Sequence, residues 1–169
     1  MLNRHLADRY VTSWEEFEFL PGVEEAIAGL NRSGRKVILV TNQRGIALGL
    51  YSEADLHVLH DRLQEHLAVH GALLDAIYYC PHDNGQCNCR KPLPVLFEQA
   101  FRDFPGADAS NSVMVGDSIS DIEAASRLGM RSVFITDPAE PLRPYVERAA
   151  AGATASASSL LDFVQRFLA

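Results

Sequence analysis

Four short apolar runs, separated by stretches with helical spacing, constrain the fold of this chain more than any other feature. The runs are rich in β-branched or aromatic residues and occupy positions 37–40 (VILV), 76–79 (AIYY), 112–115 (SVMV) and 132–135 (SVFI). Such runs are typical of strands that are buried on both faces of a parallel sheet. The leucines of residues 52–69 recur at helical spacing, with Ser52 as the helix cap. This alternation predicts an α/β fold with a doubly wound parallel sheet.

Composition excludes several classes of partner. The chain has 169 residues and carries 15 Lys and Arg against 22 Asp and Glu, a formal net charge of -7. This acidic balance argues against a nucleic-acid or anionic-membrane partner, because either would favour a basic face. No apolar run approaches the length of a membrane span, and residues 1–10 show no signal-peptide pattern. We therefore expect a single cytoplasmic domain over residues 1–169 that is a monomer.

A pair of carboxylates follows the third apolar run. Gly116 allows a tight turn, Asp117 projects from the strand tip, and Asp121 lies in the first turn of a predicted helix over 119–128. Ligands of doubly wound sheets bind at the carboxyl ends of the strands, and Mg²⁺ prefers oxygen ligands. The pattern indicates a Mg²⁺ site with Asp117 as ligand and Asp121 in support. The alternative is that Asp117 only caps the helix and that Asp121 is a solvated first-turn acid.

Two other predicted strand ends carry groups that suit a phosphate. Thr41 and Asn42 begin a predicted loop over residues 41–49 and offer a hydroxyl and an amide to a phosphoryl oxygen. Lys91 precedes Pro92, which fits the first turn of a helix, so we expect a cation at a helix start. A cation there is unfavourable unless an anion lies between it and the helix dipole, which favours a phosphate site. The alternatives are a polar strand cap at Thr41 and a solvated Lys91.

The most distinctive local pattern is a cluster of sulfur and imidazole groups. Four potential ligands lie within ten residues: Cys80, His82, Cys87 and Cys89. A Cys₃His set suits tetrahedral Zn²⁺, and four protein ligands make a closed, structural site. We expect zinc to hold this loop and therefore Arg90 and Lys91. The alternative is three unpaired thiols and a surface histidine, since the spacing is not that of a zinc finger.

The remaining signals indicate structure rather than function. The aromatic residues Trp14, Phe17 and Phe19 are expected to pack in the core or a turn. No carboxylate or thiol pattern joins the histidines of the predicted helix over 52–69, so we expect them to be solvated: His57, His60, His66 and His70. Residues 149–159 (AAAGATASASS) predict a loose connection before a final helix over 160–167.

Taken together, these motifs resemble a known superfamily. Residues 37–42 (VILVTN), 90–92 (RKP) and 116–121 (GDSISD) resemble the second, third and fourth motifs of the haloacid dehalogenase (HAD) superfamily. Residues 18–23 (EFLPGV), 41–49 and the cysteine-rich loop narrow the resemblance to the D-glycero-D-manno-heptose 1,7-bisphosphate phosphatases and the related histidinol phosphatases. The resemblance implies Mg²⁺-dependent hydrolysis of a phosphate monoester of a small sugar through an aspartyl-phosphate. Histidinol phosphate is the alternative substrate.

The resemblance also implies roles for individual residues. Thr41 and Lys91 would stabilise the phosphoryl group, and Asp117 would bind Mg²⁺. Four further residues would contact the substrate: Asn42, Gln43, Arg44 and Arg90. Zinc would be bound by Cys80, His82, Cys87 and Cys89. Ser118 and Leu48 stand where the family has Lys and Arg, and both departures weaken the case for a bisphosphate.

The family's first motif is not found in the sequence. It is an apolar strand ending in Asp-x-Asp, whose first aspartate attacks phosphorus and binds Mg²⁺ while the second transfers protons. The first three residues, Met1-Leu2-Asn3, match only the end of this motif, and no Asp-x-Asp occurs anywhere in the chain. In the family's sheet this strand lies between the 37–40 and 112–115 strands.

Two expectations follow from the missing motif. The first is that the true start lies upstream, and that the 169 residues by themselves hydrolyse phosphate esters at the background rate. The second is an alternative of a different class, a non-catalytic, zinc-stabilised protein that binds a phosphorylated ligand without turnover.

Overall fold

The structure is a computed structural model that describes residues 1–6, 9–136 and 150–167. The chain divides into two compact units. Leu2–Cys87 form the N-terminal unit, and Met1 with Asn88–Ala169 form the C-terminal unit. Within the described ranges, no helix has both the length and the apolar character needed to cross a bilayer.

The N-terminal unit combines a two-stranded parallel sheet with three α-helices and a short 3₁₀ helix, Trp14–Glu16, among its described residues. Its elements are α1 (Val23–Arg32), β1 (Ile38–Asn42), α2 (Arg44–Ala47), α3 (Glu53–Val69) and β2 (Ala76–Cys80). β1 pairs with β2 in a register that runs from Ile38 opposite Ala76 to Asn42 opposite Cys80. Asn42 and Cys80 therefore end their strands at the same edge of this sheet.

Helix α3 forms as its sequence predicts. The Asp55 backbone N–H donates to Ser52 Oγ at 3.1 Å, and the Ser52 N–H donates to Asp55 Oδ2 at 2.8 Å. This reciprocal pair satisfies backbone donors that the first helical turn would otherwise leave without partners. The leucines at helical spacing are all buried: Leu56, Leu59, Leu63 and Leu67. Their burial anchors the helix and confirms the predicted apolar face.

The C-terminal unit is built on a three-stranded parallel sheet. Its elements are α4 (Val95–Asp103), β3 (Val113–Gly116), α5 (Ile119–Leu128), β4 (Arg131–Ile135), β5 (Ala155–Ala157) and α6 (Leu160–Phe167). The strand order is β3-β4-β5, and α5 packs against β3 and β4. Buried Ile122 and Phe134 are at the centre of this packing. The predicted α/β fold with parallel pairing is confirmed.

The described strands fall into two sheets, one in each unit. The resemblance predicts a further strand between the 37–40 and 112–115 strands. None of the residues in the described ranges forms that strand. β1 therefore has β2 as its strand neighbour, and β3 has β4.

Two element boundaries differ from the prediction. Thr41 and Asn42 are not loop residues, because β1 continues through both before α2 begins at Arg44. Pairing with β2 extends the strand beyond its apolar run, since backbone hydrogen bonds do not depend on side-chain polarity. Lys91 is not at a helix start, because α4 begins only at Val95. The argument from the helix dipole was therefore wrong at Lys91.

The prediction for the small-residue segment before the last helix is also wrong. Residues 155–157 form β5, which pairs in parallel with β4, whereas a loose connection was predicted. The Thr136 N–H donates to the Ala157 carbonyl at 2.9 Å, and the Thr154 N–H donates to the Ser132 carbonyl at 2.9 Å. These bonds override the weak strand propensity of alanine and serine. Ala149, the first residue of the predicted connection, lies outside the described residues.

Candidate functional site

The predicted site residues are distributed over both units. The N-terminal unit carries Thr41, Asn42, Gln43, Arg44, Cys80, His82 and Cys87. The C-terminal unit carries Cys89, Arg90, Lys91, Asp117 and Asp121. Most of them follow the carboxyl ends of parallel strands, which is where ligands of such sheets bind.

A buried ion pair holds Lys91. Its ammonium donates to Asp121 Oδ1 at 2.6 Å, and the two side chains are only 9% and 6% exposed. The other oxygen of Asp121 accepts hydrogen bonds from the N–H and the hydroxyl of Ser118, at 3.2 and 2.9 Å. Asp121 is thus a buried counter-ion rather than a solvated acid. Because protein groups donate to both of its oxygens, Asp121 is a positioning residue for Lys91.

Gly116 makes this arrangement possible. A Cβ at position 116 would collide with the side chain of Asp121. The glycine that ends β3 therefore lets the carboxylate lie close to the strand, where it meets Lys91. The Gly-Asp pattern of the sequence reflects a packing requirement as well as a turn.

Asp117 follows β3 and has a half-exposed side chain, at 51%. Partial burial raises the pKa of its carboxyl, but the Met1 ammonium, which donates to Oδ2 at 2.5 Å, and then Lys91 hold the pKa below its ordinary value. Asp117 is therefore ionised near neutral pH. An ionised, solvent-accessible carboxylate is the kind of hard oxygen ligand that Mg²⁺ prefers, so this residue fits the predicted metal.

A chain of hydrogen bonds orients Thr41. The Tyr51 hydroxyl donates to Gln43 Oε1 at 2.6 Å, and Gln43 Nε2 donates to Thr41 Oγ1 at 3.1 Å. Burial and then Tyr10 raise the pKa of Tyr51 to about 12, so this hydroxyl remains a donor. Gln43 thus holds Thr41 Oγ1 as an acceptor, which leaves the threonine hydrogen available for an anion.

Tyr51 was not identified from the sequence, because it stands among residues that read only as the approach to a helix cap. The structure supplies one further constraint on it. A Cβ at Gly45 would collide with the Tyr51 ring, so the glycine of α2 is needed for Tyr51 to reach Gln43. The contact depends on how α2 folds back, which residue spacing does not reveal.

Arg44, a predicted substrate contact, already holds a carboxylate. Its Nε donates to Asp83 Oδ1 at 2.5 Å, and one of its terminal nitrogens donates to Asp83 Oδ2 at 3.3 Å. These bonds raise the pKa of Arg44 further, so the guanidinium is permanently charged. Because Asp83 follows His82 directly, the pair connects the segment after β1 to the cysteine-rich loop.

Three of the four predicted zinc ligands lie together within the N-terminal unit. Cys80 Sγ lies 3.4 Å from Cys87 Sγ and 3.8 Å from His82 Nδ1, and the cysteines form no disulfide. Two thiolates bound to one tetrahedral zinc lie about 3.8 Å apart, whereas a disulfide needs about 2 Å. The donor set and its spacing therefore fit zinc. Cys89 follows Cys87 by two residues and belongs to the C-terminal unit.

A cleft of about 590 Å³ in the N-terminal unit includes Asn42 and Gln43 in its wall. Its lining also contains Arg4, His5 and Arg9, none of which was predicted as a site residue from the sequence. Guanidinium and amide groups around a cleft favour an anionic ligand. The available signal was their position, since they closely follow the segment Met1-Leu2-Asn3 that matches the end of the family's first motif.

Comparison with known proteins supports the resemblance. The HAD-hydrolase-like family model matches residues 88–161. A D-glycero-beta-D-manno-heptose-1,7-bisphosphate 7-phosphatase from Vibrio cholerae is 40% identical over 161 residues, covering 90% of this chain and 84% of that protein. A D-glycero-alpha-D-manno-heptose-1,7-bisphosphate 7-phosphatase from Mycobacterium bovis is 41% identical over 126 residues, or 74% of this chain and 66% of that protein.

A solved structure also resembles this chain. The crystal structure of D,D-heptose 1,7-bisphosphate phosphatase from B. bronchiseptica, complexed with magnesium and phosphate, has a TM-score of 0.85 and 31% identity. The match covers 99% of this chain and 92% of that one.

The fold and the motif residues define an α/β protein of the HAD type. By the relatives at about 40% identity, the chain belongs to the HAD family of heptose bisphosphate phosphatases. It spans just under two thirds, 66%, of the length of the Mycobacterium relatives.

Proposed function

We propose that this protein is the substrate-binding and phosphoryl-stabilising part of a Mg²⁺-dependent phosphatase for a D-glycero-D-manno-heptose 1,7-bisphosphate. The observation that carries the proposal is Lys91, buried and held at 2.6 Å by Asp121, in the same unit as the half-exposed, ionised Asp117. A fixed cation and an accessible carboxylate are the two groups that a phosphoryl group and its metal need. The names of the relatives supply the substrate class.

Each residue has a defined task in the proposed reaction. Lys91 stabilises negative charge on the transferred phosphoryl oxygens, and Asp121 holds it so that no reorganisation is needed. By the family resemblance, the Thr41 hydroxyl, oriented by Gln43, would donate to a phosphoryl oxygen of the substrate. Mg²⁺, when bound by Asp117, supplies further charge neutralisation.

The nucleophile belongs to the family's first motif. There, the first aspartate attacks phosphorus while the ester P–O bond breaks, and the second aspartate protonates the leaving oxygen. None of the 169 residues stands in an Asp-x-Asp motif. The proposal therefore predicts ligand binding without turnover for these residues, and turnover once that motif is supplied.

The cysteine-rich loop completes the proposal. We propose that zinc is bound by Cys80, His82, Cys87 and Cys89 in a closed site whose role is structural. The 3.4 Å separation of Cys80 Sγ and Cys87 Sγ supports this assignment. By its position in the sequence, the loop leads directly into Arg90 and Lys91, so zinc binding would limit the motion of both.

The experiment compares the 169-residue chain with one that carries an added N-terminal strand ending in Asp-x-Asp-Gly directly before Met1. Phosphate release is measured with Mg²⁺ and three substrates, namely both anomers of the heptose bisphosphate and histidinol phosphate. We expect background rates for the first chain and turnover of one heptose anomer for the second. Clear turnover by the 169 residues, or preference for histidinol phosphate, contradicts the proposal.

Substitutions of the two lysines of the chain provide a test and its matched control. In the extended chain, Lys91→Met should lower kcat roughly 100- to 1000-fold, because a preorganised charge is lost. Lys36 is the only other lysine in the sequence; it is 62% exposed and pairs with Asp75 at 2.8 Å. Lys36→Met should leave kcat unchanged.

A further inference from the structure

A second group of metal-type side chains lies outside the cysteine-rich loop. Glu24 from the first turn of α1 meets His66 from the last turn of α3 and His70, the residue that follows α3. One potential ligand atom from each lies within 4.8 Å of the others. From the sequence these histidines were expected to be solvated, because no carboxylate or thiol pattern joins them. A contact between α1 and α3 supplies the carboxylate.

The distance between Glu24 and His66 fits a shared metal ion. His66 Nε2 lies 3.2 Å from Glu24 Oε1. Nitrogen and oxygen ligands at about 2.0–2.1 Å from a tetrahedral Zn²⁺ are about 3.3 Å apart. Without metal, the imidazole N–H donates to the carboxylate, and a metal ion would replace that proton.

His70 is in the tautomer that a metal requires. Its Nδ1 lies 2.9 Å from the His66 backbone carbonyl oxygen. A carbonyl only accepts hydrogen bonds, so Nδ1 carries the proton and Nε2 keeps its lone pair. Metal-binding histidines characteristically donate their second nitrogen to a carbonyl or carboxylate in this way.

Aromatic residues hold the ring of His66. Phe19 stacks on it with centroids 4.4 Å apart and an interplanar angle of 19°. Trp14 lies 5.7 Å away, also measured between ring centroids. Trp14 and Phe19 thus support a histidine, and fixing its rotamer lowers the entropy that metal binding would cost.

We propose that Glu24, His66 and His70 form a binding site for a divalent transition-metal ion, of which Zn²⁺ and Ni²⁺ are the best matches. Two imidazoles and a carboxylate are ligands of borderline softness, which suit these ions better than Mg²⁺. The half-exposed position of the cluster leaves room for water to complete the coordination. A bound ion would tie the start of α1 to the end of α3.

The test uses Trp14, the only tryptophan in the chain, as the reporter. The 169-residue protein, with one equivalent of zinc already added to occupy the cysteine-rich loop, is titrated with Ni²⁺, whose open d shell quenches nearby indole fluorescence. We expect saturable quenching with one equivalent of Ni²⁺. His70→Gln and Glu24→Gln should each weaken the apparent affinity at least tenfold, because each removes one ligand.

Two matched variants control for the loss of any histidine or any carboxylate. His57→Gln changes another imidazole of α3, and Glu25→Gln changes the exposed acid next to Glu24. Both should retain the quenching and its affinity. Absence of quenching in the unmodified protein overturns the proposal. Equal quenching in all five proteins, or loss in a control variant, also overturns it.

Discussion

The N-terminal unit contains two groups of metal-type ligands that arise in opposite ways. The thiols and imidazole of Cys80, His82 and Cys87 come from one short loop, whereas Glu24 and His66 are 42 residues apart and meet only when α1 packs on α3. The loop group was found in the sequence, and the helix group was rejected there. The difference shows that a set of metal ligands can be predicted from residue spacing in the sequence only when one segment supplies every ligand.

The two groups also differ in chemistry and burial. Cys80 is fully buried and brings soft sulfur, while the helix cluster is half-buried to exposed and offers nitrogen and oxygen. Softer, closed sets hold zinc more strongly and act on folding, whereas open sets bind more weakly. We therefore expect loss of the loop site to affect stability much more than loss of the helix site.

The largest predicted effect tests the loop. With zinc at about 1000 times the dissociation constant, bound metal adds about 4 kcal/mol to the free energy of unfolding. Cys87→Ser should remove about that amount in urea unfolding and abolish stoichiometric zinc in metal analysis. A chelator should lower the unfolding free energy of the unmodified protein to that of the variant. The unfolding free energy of the variant should not change. If Cys87→Ser is as stable as the parent and binds as much zinc, the prediction that the loop site affects stability more than the helix site is wrong.

The second prediction measures what a buried contact contributes with no metal involved. Asp121→Asn leaves the Lys91 ammonium buried without its counter-ion, which should cost about 3 kcal/mol of unfolding free energy. Glu123→Gln, two residues along α5, is the control and should change stability by less than about 0.5 kcal/mol. Equal urea midpoints for the two variants would contradict the positioning role of Asp121.

The third prediction concerns a histidine of α3 that belongs to neither of the ligand groups found among the described residues. His60 is 8% exposed, and burial, then His57, lower its pKa to about 4, with Asp61 opposing. The unfolded chain, with a histidine pKa near 6.5, therefore binds a proton first as pH falls. Stability should drop by about 1.3 kcal/mol between pH 7.5 and 5.5 from this group alone.

A substitution isolates that contribution. His60→Leu should flatten the decline measured by urea unfolding at the two pH values. His57→Gln should preserve most of it, because burial is a larger cause of the lowered His60 pKa than His57 is. If the decline is the same in His60→Leu and in the parent, the buried imidazole is not its source. Such a result would contradict the view that His60 binds a proton on unfolding whereas His66 binds a metal ion.

The smallest predicted effect belongs to the helix cluster. Once the loop has taken one equivalent of zinc, further zinc at about five times the second dissociation constant should add about 1 kcal/mol to the unfolding free energy. Thermal unfolding with and without this excess should show the increment in Glu25→Gln and lose it in His70→Gln. If the helix cluster raises the unfolding free energy as much as the loop does, the prediction that the loop site has the larger effect is wrong.

Much of the fold could be predicted from the sequence. The apolar runs and leucine spacing are local patterns, and they located four of the five described strands and the helix with Ser52 as its cap. The fifth strand, Ala155–Ala157, was missed because its residues have little strand preference of their own. Its pairing with β4 is a long-range interaction that local propensity does not contain.

For the candidate sites, contiguous residues determined the cysteine-rich loop, the carboxylate after β3 and the family to which the chain belongs. Only the tertiary structure decided that Asp121 is the counter-ion of Lys91, that Asp83 binds Arg44, and that Glu24 meets His66. The physical reason is that each of these contacts joins residues 30 to 42 positions apart. Such partners are selected by the packing of whole strands and helices, and short patterns along the chain carry no information about that packing.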